Sequence, residues 1–240
     1  MESTGMDSKL AADVANLSVW ITDKQRHNYA IIDADWPPSN PEGYLRWFVS
    51  RMTPQARGLL AEAQVDPVPE YRRNTPLQQV IKLLKRHRDV MFVDLPDAKP
   101  ISIIITTVVG ESHMSGDSLS ETMRKALNAL ENVRLSNTDI IANPINPKEN
   151  FADRWARHDC AHLELKKNFH EWVVEVNRHF SEIKTSQDAQ RLLEIASDHL
   201  RVKPSEEKVR RLLGVLSGST GGTPARRVTA GAAPASPWAF

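Results

Sequence analysis

Cysteine is almost absent from this 240-residue chain. Cys160 stands alone, so no intramolecular disulfide can staple the fold, and the composition suits a reducing compartment. Glycine is scarce as well, with ten residues, and none lies in a phosphate-cradling loop; the Gly221-Gly222 pair falls in the C-terminal tail. No apolar run is long enough to span a bilayer. The longest, Ile101 to Val109, is well short of the roughly 20 residues required, and residues 1–20 lack the basic start and apolar middle of a signal peptide. Charge of one sign is missing too. Lys and Arg number 31 against 30 Asp and Glu, for a net +1, so no global field draws nucleic acid or a membrane and any basic function must be local. These absences point to a cytoplasmic protein with no membrane partner.

What is present is mostly helical periodicity, in a chain long enough to bury a substantial core in one or two domains. Residues 1–18 are weakly patterned and read as a frayed N-terminal segment. Ser18 to Thr22 reads as a short strand with Val19 and Ile21 on one side. Asp33 to Asn40 is expected to be a loop, because Pro37 and Pro38 remove backbone donors and hold their predecessors out of the helical region. Ser39 or Asn40 then caps a helix with Pro41 near its first turn. Tyr44, Trp47, Phe48 and Arg51 share one face of it, and aromatic residues at that spacing pack a core more often than they stack bases. Gly110 to Gly116 reads as a break, Ser118 to Leu130 as a helix, and Asn137 to Pro147 as a loop with two Asn-Pro steps.

Asn146, Pro147 and Glu149 have the form of a helix start. Phe169, Trp172, Val173, Val176 and Phe180 line one face of a long helix. Two shorter helices follow, with apolar faces Ala189, Leu192, Leu193, Ala196 and Val209, Leu212, Leu213, Leu216. Residues 217–240 are rich in Gly, Pro, Ser and Ala, which predicts a disordered tail. That tail ends in Trp238 and Phe240, two large apolar groups a solvated segment does not need.

Few residue sets offer chemistry. Asp33 and Asp35 form the chain's one Asp-x-Asp pair. Two-metal phosphoryl transfer needs clustered carboxylates around ions about 3.5–4 Å apart; this pair could touch one metal at most, has no preceding strand, and reads as a turn. Asp13 lies in LAADVAN, a helical pattern, and is not assigned. His158, Cys160 and His162 invite a zinc reading, but zinc sites want four ligands and alternate positions on a helix point to different faces. A structural role is the better reading. No nucleophile elbow accompanies any Ser, His and Asp set, so no catalytic residue is assigned.

The stretch TPLQQVIKLLKRHRDVMF, residues 75–92, carries the fullest pattern. Thr75 fits an N-cap, Pro76 the first helical position, and Gln78 completes a capping box. Leu77, Val80, Ile81 and Leu84 follow the i, i+3, i+4, i+7 rule, so one stripe faces a core. Lys82, Lys85 and Arg86 cluster on the other side. Such a run is ordinarily a solvated face; the alternative is that one of these cations meets phosphate.

Taken with SNPEGYLRWFVSRM (39–52), KPISIIITT (99–107) and NPINPKENFADRW (143–155), this stretch resembles the C-terminal half of the bacterial cGAS/DncV-like nucleotidyltransferases, or CD-NTases. The four blocks keep the family's order and spacing. The resemblance implies a mainly α-helical C-terminal lobe of a polymerase-β-like nucleotidyltransferase over residues 19–216, with at most one or two short strands near the N-terminus. It also implies a family that joins nucleoside triphosphates, with Mg²⁺, into cyclic oligonucleotide signals in anti-phage defence. Ile101 to Val109 reads locally as a buried strand, but the family places a helix there. The helix is preferred, because a lone strand among helices would leave its backbone groups without ladder partners.

In the wider superfamily a lysine on such a helix reaches the triphosphate. By position that residue is Lys85, with Lys82 one turn earlier as the second candidate; lysine suits a mobile triphosphate as a point charge. The family's catalytic signature, a Gly-Ser turn, an Asp-x-Asp strand and a third Asp, is not found. The chain alone is therefore expected to hold no Mg²⁺ and to be catalytically incomplete. The alternative is a non-catalytic helical interaction module; a nucleic-acid-binding helix built on KLLKRHRD is disfavoured by the near-neutral charge. In some members a ubiquitin-transfer-like ligase captures the C-terminus, which would make the Phe240 carboxylate a conjugation site.

Overall fold

Two very short strands and seven α-helices make up the regular structure among the residues described by the computed structural model, 19–21, 29–31, 38–52 and 74–214. Strand β1 (Val19–Trp20) pairs antiparallel with β2 (Pro38–Ser39), Val19 opposite Ser39 and Trp20 opposite Pro38. The strand expected around SVWIT is there, but residues 38–39 leave the loop expected for 33–40. Proline is tolerated because a two-stranded ribbon has only edge strands. The helices are α1 (Pro41–Met52), α2 (Pro76–Met91), α3 (Ser102–Ser112), α4 (Leu119–Ser136), α5 (Leu165–Thr185), α6 (Ala189–Leu200) and α7 (Glu206–Leu212). Turns of 3-10 helix at Asp153–Trp155 and His158–Leu163 lie between α4 and α5.

Side-chain caps fix where several helices begin. Asn40 Oδ1 accepts from the Gly43 N–H at 2.8 Å and opens α1. At α2 the Thr75 hydroxyl accepts from the Gln78 N–H while the Gln78 side chain accepts from the Thr75 N–H, the reciprocal box expected. Ser118 and Glu121 repeat that arrangement at α4. Each such cap satisfies donors that the helix cannot satisfy itself.

The core is assembled around α2, which packs against α3, α4, α5 and α6. Its Leu77, Val80 and Leu84 are fully buried among Ile104, Ile105 and Val109 of α3, Ala126 and Leu130 of α4, and Phe169, Trp172, Val173 and Val176 of α5. The β-branched run at 101–109 is helical. It is apolar almost all round, as a helix enclosed by others must be. The end of α2 is tied to the start of α3 by Arg88, whose guanidinium donates to the Pro100 carbonyl (2.9 Å), the Ser102 hydroxyl (3.0 Å) and Asp89 (2.7 Å).

Four expectations need correction. Gly110 does not break the chain: α3 runs through it to Ser112, because a residue without Cβ lets the Trp47 indole close against the helix. A Cβ at 110 would lie 2.8 Å from Trp47 Cη2. Arg51 then holds the end of α3, donating to the carbonyls of Gly110 (2.9 Å) and Glu111 (3.2 Å). Asn146, Pro147 and Glu149 do not start a helix. The Asn143 side chain accepts from the Ile145 N–H, Glu149 N–H donates to the Asn146 carbonyl, and Ala142 bridges Asn150, so asparagine-to-backbone bonds outcompete helix. The long helix begins at Leu165. On α6 the buried residues are Ile195 and Leu200 rather than the four named from periodicity. Leu212 of α7 is 86% exposed.

Two substitutions check this packing. Leu84→Ala removes a fully buried side chain from the centre of α2 and is expected to lower unfolding stability by about 2–5 kcal/mol. Gly110→Ala forces its methyl onto the Trp47 ring and is expected to cost about 1–3 kcal/mol. Denaturant melts that leave either variant at the parent's stability would contradict the arrangement.

Candidate functional site

The positive cluster on α2 resolves into three different fates. Lys82 is exposed, and its Nζ donates to Asn74 Oδ1 at 2.8 Å. Arg86 Nε donates to the Leu200 carbonyl at 2.9 Å and so caps the end of α6. Lys85 is half-buried, and among the described residues no acceptor stands within hydrogen-bonding reach of its Nζ. The helix repeat puts Lys82, Lys85 and Asp89 along one strip, beside rather than opposite the buried stripe.

Burial lowers the Lys85 pKa below the ordinary lysine value, the Arg88 guanidinium lowers it further, and Asp89 opposes both. Asp89 is itself a hub. Burial alone would raise its carboxyl, but Lys99 Nζ (2.9 Å) and Arg88 donate to it and hold it below the usual carboxylate range. All of these bonds fall on Oδ1. The strip thus presents one ammonium with no protein acceptor among the described residues, next to a carboxylate already shared by two cations. That arrangement suits an anion at Lys85, since the nearest carboxylate cannot fully neutralise it.

Asp89 and Lys99 were not singled out from the sequence. The i+4 spacing from Lys85 was the available signal for Asp89; Lys99 reaches it only through the fold. The other candidates fall differently. Cys160 is buried and accepts from Arg154 Nε at 3.4 Å, whereas His158 and His162 are exposed, so the three do not converge. Among the described residues no three His, Cys, Asp or Glu side chains are grouped so as to hold a metal ion, and a two-ion carboxylate site is not built from them. Asp13, Asp33, Asp35, Trp238 and Phe240 lie outside the described residues. Among the described residues no helix is long and apolar enough to cross a membrane.

A separate open hollow of about 380 Å³ is lined by Asn137, Trp155, Cys160, Lys166, Lys167 and His170, among others. Its lysines are engaged. Lys166 donates to the Asn137 carbonyl and to Asp139, both at 2.7 Å, and Lys167 to Glu164 at 2.9 Å. The hollow shares no residue with the Lys85 strip, and the cation not engaged by a described protein acceptor makes the strip the better candidate.

No family model matches the chain. The c-di-GMP synthase of Roseivirga ehrenbergii is 29% identical over 171 residues, which cover 66% of this chain and 44% of the synthase. The chain therefore spans less than half the length of that curated relative. The structure of the Bradyrhizobium diazoefficiens CD-NTase CdnG in complex with GTP aligns with a TM-score of 0.50 at 15% identity, covering 76% of this chain and 57% of CdnG. At that identity the likeness is one of fold. Sequence similarity to the synthase and the helical architecture shared with CdnG agree in likening this chain to part of a cGAS/DncV-like nucleotidyltransferase.

Proposed function

We propose that this chain is the helical lobe of a CD-NTase and that Lys85 binds the triphosphate of a nucleoside triphosphate. The observation that carries this reading is the half-buried Lys85 ammonium without an acceptor among the described residues, while Lys82 and Arg86 are held by Asn74 and Leu200. The relatives support a nucleotide as the ligand, one being a c-di-GMP synthase and the other a CD-NTase solved with GTP. An ammonium on such a packed helix lowers the charge repulsion among phosphate oxygens and positions them without covalent chemistry. Joining nucleotides into a cyclic product would also need Mg²⁺ to neutralise phosphate charge, and no carboxylate cluster among the described residues would hold it. In our reading that step belongs to a catalytic lobe, and the anti-phage role belongs to the complete enzyme.

A non-catalytic interaction module is the second reading, favoured by the exposed Leu212 at 86% and Trp20 at 62%. Nucleotide binding separates the two. Titration of the chain with a fluorescent guanosine triphosphate should give an affinity that Lys85→Ala weakens by about 10- to 150-fold, the worth of one charge-assisted contact at about 1.5–3 kcal/mol. Because the Lys85 pKa is lowered and the bond needs the ammonium, affinity should fall on the alkaline side before an ordinary lysine would lose its proton. Arg86→Ala should leave affinity in place and reduce stability by about 1 kcal/mol, through the Leu200 carbonyl it abandons. Affinity untouched by Lys85→Ala and Lys82→Ala together would sink the phosphate assignment.

A second expectation concerns turnover. The purified chain with ATP, GTP and Mg²⁺ should yield no cyclic oligonucleotide by chromatography. A product that vanishes on Asp33→Ala or Asp35→Ala would show instead that this pair holds a catalytic metal.

A further inference from the structure

Three imidazoles from three helices meet where α6 packs on α2 and α5. His87 of α2 and His179 of α5 are each 2% exposed, with His87 Nε2 and His179 Nδ1 2.9 Å apart. His199 of α6 stacks on His179, ring centroids 3.6 Å apart and planes 23° from parallel, and its ring lies 6.1 Å from that of His87. Arg178 Nη2 stands 2.7 Å from His179 Nε2. A guanidinium only donates, so His179 Nε2 must accept, Nδ1 must carry the proton, and His87 Nε2 must accept in turn. The remaining His87 nitrogen, Nδ1, is buried without a partner.

This order leaves the buried pair no place for a further proton. One on His179 Nε2 would face Arg178 donor to donor, and one on His87 Nε2 would turn the His87–His179 bond into a repulsion. The nearby carboxylates are already engaged. From α5, Glu175 takes Arg178 at 2.6 Å and lies 3.8 Å from His179 Nε2, while Glu182 takes Arg191 of α6 at 3.0 Å. From α2, Arg86 faces α6 through the Leu200 carbonyl. Burial, the neighbouring imidazoles and Arg178 accordingly lower both His87 and His179 to about 4.

Beyond this junction the α6–α7 arm is held by polar bonds, Arg86 to the Leu200 carbonyl and Arg191 to Glu182, with little apolar burial. The apolar cluster formed by α2, α3, α4 and α5 includes no residue of α6 or α7. The arm buries only Ile195 and Leu200 fully. We propose that the three-histidine junction is an acid-sensitive latch, holding the α6–α7 arm on α2 and α5 while its imidazoles are neutral and releasing it on protonation.

The sign follows from linkage. His87 and His179 take up protons less readily when the arm is docked than a free imidazole does, near pH 6.5. The released state therefore binds more protons, so docking is complete above about pH 6.5 and weakens as pH falls toward about 4. Glu175 and Glu182 are lowered by their hydrogen bonds from Arg178 and Arg191 and titrate below that upper range.

Hydrogen exchange on the full chain, corrected for intrinsic rates, reads the latch directly. Between about pH 7.5 and about pH 5, protection of amides in 189–212 is expected to fall about tenfold or more, as one or more extra protons are bound on release, while 104–109 and 169–176 keep theirs. His199→Phe retains the stacked ring without its basic nitrogens and should leave the arm docked at neutral pH with a shallower pH profile. Arm protection that does not change with pH, loss of arm and core protection together, or a His199→Phe profile as steep as the parent's would each overturn the proposal.

Discussion

A helix touched by four others can show solvent only a narrow strip, and that constraint on α2 governs what the rest of the molecule can do. Leu77, Val80, Ile81, Leu84, His87 and Arg88 are all buried, so α3, α4, α5 and α6 are each placed by a different part of the same surface. Burying Leu77, Val80 and Leu84 completely contributes on the order of 1.5–3 kcal/mol each. The backbone that carries Lys82, Lys85, Arg86 and Asp89 is fixed by the core behind it. Their charges therefore start from set positions on the helix, as binding groups should.

The charges behind the strip explain why Lys85 differs from its neighbours. A buried guanidinium such as Arg88 costs much unless its nitrogens find acceptors, and all three do so through Pro100, Ser102 and Asp89. Satisfying Arg88 commits Asp89, and Lys99 claims the same oxygen. Lys85 is left close to Arg88, whose charge disfavours its own, and to a carboxylate with little attraction to spare. The structural need of one cation creates the unmet need of another. That link between core and surface is the physical basis for treating Lys85 as a site rather than as a solvated charge.

Much of this was legible in the chain because it is local. The capping box at Thr75 and Gln78 and the buried stripe of α2 need only near neighbours, and both stand as read. Ile101 to Val109 shows the opposite case. Its propensity favours strand, and the helix forms because a backbone enclosed by helices must satisfy its own donors and acceptors. Gly110 and the Asn143–Asn150 loop were misread for related reasons. The glycine is explained by Trp47, 63 positions earlier in the numbering, and the loop by asparagine side chains whose partners periodicity does not reveal. Lys99 on Asp89 and the meeting of His87, His179 and His199 are likewise tertiary, as is Arg86 at the end of α6. The pair Asp33 and Asp35 lies outside the described residues, so their reading stays with the sequence.

Arg86 and Lys85 are adjacent in sequence yet serve different parts of the fold. Arg86 looks across to α6, where its planar guanidinium can hold a carbonyl in fixed geometry; Lys85 looks along the strip, where a compact ammonium on a flexible stem can follow a moving phosphate. Exchanging the two would spoil both roles, since a lysine at 86 would cap Leu200 loosely and an arginine at 85 would reach toward the shared Asp89 carboxylate. Residue type, and not only charge, thus separates the cation that fastens the α6–α7 arm from the cation proposed to meet a phosphate.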